Sequence, residues 1–281
     1  DIRGPEVRLP LTFPEGFWRS MLELVSVRLA DLPDPASVCA ELRHAGALRQ
    51  LSVAMDSAFP VIQVLRALGM NHPQLQRFDL RSSQFAWMYD VAWRDFLNDH
   101  PALMAISLDI TDLRAADFRF DVADLRVPQF ELSMRYFSDP DGALASWVRE
   151  SHTLQTLRLV IGSDQMCNPQ DLRRLAQAIG ANRSIRRLSI EQEEAYEFKN
   201  GSFERKQAYI QGLSDWLEPI CGNTSLDELT LSMDLLAILD HEGVTESRIL
   251  RHFEQLESVN PGLNLNVANL CFARDRFQSS S

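Results

Sequence analysis

The stretch Asn182-Arg183-Ser184-Ile185-Arg186-Arg187-Leu188-Ser189-Ile190 decides how the chain is read. Its apolar residues, Ile185, Leu188 and Ile190, are spaced by three and then by two. Leu48, Leu51 and Val53 carry the same spacing, as do Leu75, Phe78 and Leu80; Leu103, Ile106 and Leu108; Leu154, Leu157 and Leu159; and Leu226, Leu229 and Leu231. Weaker copies stand at Leu22, Val25, Val27 and at Val127, Phe130, Leu132. The last copy, Gly262, Leu265, Val267, has lost its first apolar residue. The final x-apolar-x-apolar portion of each copy alternates with period two, which suits a strand buried on one face. A unit that recurs at this interval predicts stacked supersecondary repeats sharing one core.

Between the strand copies lie helical patterns. One is expected from Phe59 to Leu68. Another opens at Asn168-Pro169 with Leu172, Leu175, Ala176 and Ile179 as its apolar stripe and Gly180 as its stop. Proline suits a first helical turn and glycine a helix end. Asp139-Pro140-Asp141-Gly142 punctuates before a helix from Gly142 to Glu150, and a final helix is expected from about Thr245 to Val259. A helix around Met88, Ala92 and Phe96 carries an unusual load of aromatic residues. Its plain reading is a crowded core, and the alternative is that Trp87 or Tyr89 anchors an interface. The interval from Ile185 to Leu226 is much longer than that from Leu48 to Leu75. Its excess, the charged segment 193–206, reads as an inserted loop.

These features resemble the leucine-rich repeat family, whose signature is L-x-x-L-x-L on a short strand followed by a helix. The resemblance covers residues 22–268. Four copies add a mark of the ribonuclease-inhibitor-like subclass, a helix ending in Asn or His, then two residues, then the repeat: His72-Pro-Gln-Leu75, His100-Pro-Ala-Leu103, Asn182-Arg-Ser-Ile185 and Asn223-Thr-Ser-Leu226. The family's Asn or Cys three residues after the last strand leucine is replaced here by Asp56, Ser83, Thr111, Gly162, Glu193 and Asp234. The resemblance implies an α/β, right-handed leucine-rich-repeat solenoid (a horseshoe) with a parallel concave sheet and outer helices. Residues 1–21 are then an N-terminal cap and 269–281 a C-terminal cap with a disordered tail.

Composition narrows the function. A net charge of −11 argues against nucleic acid, which demands a basic surface. No apolar run reaches the roughly 20 residues of a membrane span. Cys39, Cys167, Cys221 and Cys271 form no close pair and read as reduced thiols, which places the chain in a reducing, cytoplasmic compartment, with delivery into a host cell as the alternative. No phosphate loop, nucleophile elbow or metal-binding helix motif is present, and no cofactor is expected. His72 and His100 share one repeat position and His152 is one residue out of phase, so all three read as turn residues rather than ligands.

If the repeat leucines point inward, their neighbours form the concave surface. That gives a central column of Ser26, Ser52, Asp79, Ser107, Glu131, Arg158, Ser189, Thr230 and Asn266. The expected partner-binding residues are Arg77, Asp79, Arg81, Asp109, Glu131, Arg158, Arg187 and Glu191. A non-enzymatic protein–protein interaction module is expected, its oligomeric state open. The alternative is the substrate-recognition domain of a bacterial effector acting in host cells, linked to ubiquitin-ligase activity in another domain. Of 28 basic residues only Lys199 and Lys206 are lysines; the plain reading is a GC-rich genome, and the sharper one is avoidance of ubiquitin acceptors.

Overall fold

The computed structural model describes residues 26–30, 48–55, 58–68, 73–82, 91–110, 126–134, 139, 141–161, 169–192, 215–232 and 243–267. Nine strands make one parallel sheet in strict chain order: β1 (Ser26–Ala30), β2 (Gln50–Met55), β3 (Arg77–Ser82), β4 (Ala105–Ile110), β5 (Gln129–Met134), β6 (Thr156–Ile161), β7 (Arg187–Gln192), β8 (Glu228–Ser232) and β9 (Asn264–Val267). Parallel neighbours need a crossover. Among the described residues, helices supply it in the connections other than β1–β2 and β4–β5: α1 (Ala58–Leu68), α2 (Val91–Asp99), α3 (Ala143–Glu150), α4 (Pro169–Ala181) and α5 (Gly243–Val259). Residues 215–220 are helical as well.

The spacing of three and two marks the core. Leu51, Leu157, Leu188 and Leu229 are buried, each on its own strand, as the repeat predicts. They join one apolar cluster with Leu65 of α1, Phe96 of α2, Leu144 of α3, Leu175 and Ile179 of α4, and Phe253 and Leu256 of α5. The helices therefore cover one face of the sheet, and the intervening strand residues face away from it. Where Leu becomes Phe, at Phe78 and Phe130, the helix behind answers with aromatic residues. Phe78 meets Phe96 at 4.7 Å and Phe130 meets Trp147 edge-on at 4.9 Å. Ala92, Trp93 and Phe96 are buried, so the described part of the aromatic helix fills core.

The helix-to-strand turns explain the recurring Asn. Asn182 Nδ2 donates to the carbonyls of Val148 (2.6 Å) and Ser151 (2.8 Å), at the end of the preceding repeat's helix. Its Oδ1 accepts the N–H groups of Ser184 (2.7 Å) and Ile185 (2.9 Å). One repeat later Asn223 does the same: Nδ2 donates to Ile179 (2.7 Å) and Asn182 (2.9 Å), and Oδ1 accepts from Ser225 at 2.8 Å. Asn260 Nδ2 then donates to the carbonyl of Asn223 at 2.8 Å. The last carbonyls of a helix lack partners within that helix. A primary amide carries two donors and an acceptor, so a single buried side chain serves both its own turn and its neighbour's helix end.

Two expectations need correcting. The first strand's phase is two residues later than Leu22, Val25, Val27 suggests. Val27 pairs with Leu51 and Leu29 with Val53, so Arg28, not Ser26, stands opposite Ser52. A two-residue slip keeps every side chain on its face, so alternation alone cannot fix register. Gly180 does not stop its helix, which continues to Ala181. A Cβ there would lie 2.1 Å from the Pro219 carbonyl oxygen, so the glycine permits a close backbone approach. Asn260 is a ladder residue that the pattern hides, because the turn from Asn260 to β9 is one residue shorter than that from Asn223 to β8.

The Asp139–Gly142 segment joins two repeats. Asp139 is buried; its carboxylate accepts the N–H groups of Leu144 (3.3 Å) and Ala145 (3.0 Å) in the first turn of α3. Its own N–H donates to Asp171 Oδ2 at 2.9 Å, and Arg174 donates to its carbonyl at 2.7 Å. Gly142 has φ 68 and lies under Arg174. Burial pushes the Asp139 carboxyl above its usual range, against the downward pull of the helix N–H groups. The expected N-terminal cap 1–21, Trp87, Tyr89, Cys39, Cys167, Cys271, His72, segment 193–206 and the tail 269–281 lie outside the described residues.

Candidate functional site

The face of the sheet turned away from the helices carries all eight predicted residues. Parallel register converts the repeat phase into rows. Position one runs Gln50, Arg77, Ala105, Gln129, Thr156, Arg187, Glu228, Asn264; position two runs Arg28, Ser52, Asp79, Ser107, Glu131, Arg158, Ser189, Thr230, Asn266; position three includes Arg81, Asp109, Ser133, Val160 and Glu191. From Ser52 onward these residues alternate with buried ones, and the charged members stay half-buried or exposed.

The predicted arginines are not free. Arg158 lies between two neighbouring strands' glutamates. Its Nε and Nη2 grip both oxygens of Glu191 at 2.8 and 2.7 Å, and its Nη1 contacts Glu131 Oε1. The Ser189 hydroxyl donates to Glu191 Oε1 at 3.2 Å. The hydrogen bonds from Arg158 hold the Glu191 carboxyl below its ordinary range, and in return those to Glu191 drive the guanidinium pKa further up. Arg77 bonds Asp79 on its own strand at 2.9 and 3.1 Å. Arg81 faces its register partner Asp109 at 3.4 Å, and Arg187 faces Glu228 at 3.7 Å.

Each predicted arginine thus already has a carboxylate partner. The bidentate grip on Glu191 fixes Arg158, because a planar fork bonded at two oxygens cannot swing without breaking both. Arg81 and Arg187 are 65% and 67% exposed in looser pairs, which solvent screens. Glu228, which the repeat phase also puts on this face, is not among the eight expected partner-binding residues. Its signal was available, since aligning Leu188 with Leu229 places Glu228 beside Arg187.

Nothing in the described residues resembles a catalytic centre. No group of three or more His, Cys, Asp or Glu there could hold a metal, and no helix there is long and apolar enough to cross a membrane. Cys221 is buried and donates to the His252 carbonyl at 3.4 Å. Burial raises its thiol to about 11, so it is protonated and unreactive at neutral pH. His100 is buried at its turn, with Nδ1 2.7 Å from the Phe96 carbonyl; burial pulls its pKa below the ordinary value.

Repeat spacing, strict parallel order and the asparagine-lined turns agree. The fold is a leucine-rich-repeat solenoid. No protein-family model and no curated protein matches the chain. Among solved structures, the leucine-rich repeat-containing protein LegL7 from Legionella pneumophila is similar at 11% identity and a TM-score of 0.47, over 87% of this chain and 83% of that one. The C-terminal domain of tropomodulin from Caenorhabditis elegans is similar at 12% identity and a TM-score of 0.28, over 86% of this chain and 92% of that one. The leucine-rich-repeat assignment rests on this chain's own register and burial.

Proposed function

We propose that the protein is a non-enzymatic interaction module whose partner, another protein, docks on the open sheet face, the concave face of the expected horseshoe. One observation carries the proposal: a continuous, half-exposed face of side chains in register, which the fold does not need for its core. A solenoid presents such a face as an extended binding surface. From β2 to β9 its charged residues are Arg77, Asp79, Arg81, Asp109, Glu131, Arg158, Arg187 and Glu191, joined by Glu228. Ion pairs that already exist on the free face preorganise it, so binding costs less side-chain ordering. Arginines are also frequent at binding hot spots.

The test is a pair of charge reversals read against a captured partner. Arg81→Glu with Arg187→Glu is expected to weaken binding strongly while leaving the fold intact. Arg149→Glu with Arg173→Glu, on exposed helix positions, is expected to leave binding unchanged. The opposite pattern would move the interface to the helices. A second reading, substrate recognition for a bacterial effector linked to a ubiquitin ligase, is motivated by the arginine bias and the irregular repeats. Ubiquitin transfer by this chain without any other domain would overturn the non-enzymatic reading.

A further inference from the structure

We infer that the open face receives a cationic side chain, a Lys or Arg of a partner protein segment, beside Glu131. The inference rests on the reading of that face as the binding surface and adds the sign of what binds there. Charge bookkeeping along the rows is the starting point. Arg77 with Asp79, Arg81 with Asp109, and Arg187 with Glu228 are one-to-one pairs. Arg158 alone is shared between two carboxylates, Glu131 and Glu191. The centre of the face therefore keeps one negative charge in excess.

That excess is localised by hydrogen bonding. Both oxygens of Glu191 are taken by Arg158, and one also by Ser189. Glu131 gives only Oε1 to Arg158; its Oε2 has no hydrogen-bond partner among the described residues. Apart from Gln129, exposed two residues before it on the same face, its neighbours there are short: Ser107 on β4, Ser133 two residues on, and Thr156 and Val160 flanking Arg158. The longer ion pairs stand to either side, on β3–β4 and on β7–β8. A side chain can enter between them, and the group that meets it is a half-buried carboxylate, where a cation gains and an anion loses. Arg158 cannot turn to greet an anion without giving up its grip on Glu191. The chain's net charge of −11 steers the same kind of partner from a distance.

The experiment selects linear peptides from a displayed random library on the intact chain and measures their affinities. Selected peptides are expected to share a Lys or Arg. Neutralising it, for instance by acetylating the lysine, weakens binding about tenfold on the native chain and has little effect on Glu131→Gln, the non-additivity that marks a direct contact. Circular dichroism and melting check that Glu131→Gln remains folded. Peptides that share an acidic residue, or whose basic residue matters equally to both proteins, overturn the cationic anchor. If such peptides still lose binding to Arg81→Glu with Arg187→Glu, the open face stands and only the sign falls. Peptides indifferent to all these changes, or a library that yields no binder, overturn the open-face reading, and the cationic anchor falls with it.

Discussion

The turns leading into β7 and β8 and the turn leading into β4 solve one problem in two ways. Each must dispose of a helix end and start a buried strand. In the first two, Asn182 and Asn223 reach back to the carbonyls of the preceding helix and forward to N–H groups of their own turn. In the third, His100 uses Nδ1 on the carbonyl of its own helix at Phe96. Its Nε2 is buried with no partner among the described residues, and the Leu103 N–H bonds the His100 backbone oxygen instead. Packing against Phe96 at 4.4 Å fills the space. The amide therefore couples adjacent repeats, whereas the imidazole's one hydrogen bond stays within its own repeat. Hydrogen bonding joins the repeats in one region and aromatic contact dominates in the other.

The largest test of that contrast is Asn223→Ala. It removes four hydrogen bonds, those to the carbonyls of Ile179 and Asn182 and those from the Ser225 N–H and hydroxyl, so a loss of about 3–5 kcal/mol is expected by urea denaturation. His100→Ala loses one bond and some packing, and about 1–3 kcal/mol is expected. Equal losses would break the comparison.

Gly180→Ala comes next. In an exposed helix interior this change stabilises by about 0.5–1 kcal/mol. Here the new Cβ meets the Pro219 carbonyl at 2.1 Å, so the sign should reverse, with a loss of about 1–3 kcal/mol and a lower melting temperature. A stabilised variant would show that the helical segment at 215–220 can move away.

A smaller effect is expected from pH. The folded pKa of His100 is depressed, so between that value and the ordinary value of 6.5 the unfolded chain binds the extra proton. Stability from this group is present above about pH 6.5 and is lost as pH falls toward the folded pKa. His100→Asn, which places the ladder's own residue there, should change stability at pH 7 by no more than about 1 kcal/mol and reduce the acid-side loss. Unfolding curves from pH 7 to 5 measure it, and an unchanged slope would assign the acid sensitivity elsewhere.

The smallest stability change belongs to the open face. Exposed ion pairs contribute about 0–1 kcal/mol, so Arg81→Glu with Arg187→Glu should barely move the melting temperature while altering binding. Arg173 and Arg174 make a poor control pair, because Arg174 is built into the joint with Asp139; Arg149 with Arg173 avoids that joint.

Leu51, Leu157, Leu188 and Leu229 announced their strands and their burial by spacing alone, because alternation within a strand is a local property of the backbone. The same phase put Arg77, Glu131, Arg158 and Glu191 on one face before any contact was known. Tertiary structure alone assigned partners. Arg158 chose Glu131 and Glu191 because parallel register sets Glu131 beside it on β5 and Glu191 one diagonal step away on β7, two residues past its register partner Ser189, with nothing in their sequence neighbourhoods naming the match. Register likewise moved β1 by two residues, a slip to which alternation is blind. Gly180 read as a stop and proved to be a point of contact, since closeness to Pro219 exists only in space. Local periodicity is written along the chain; distance between repeats is created when they stack.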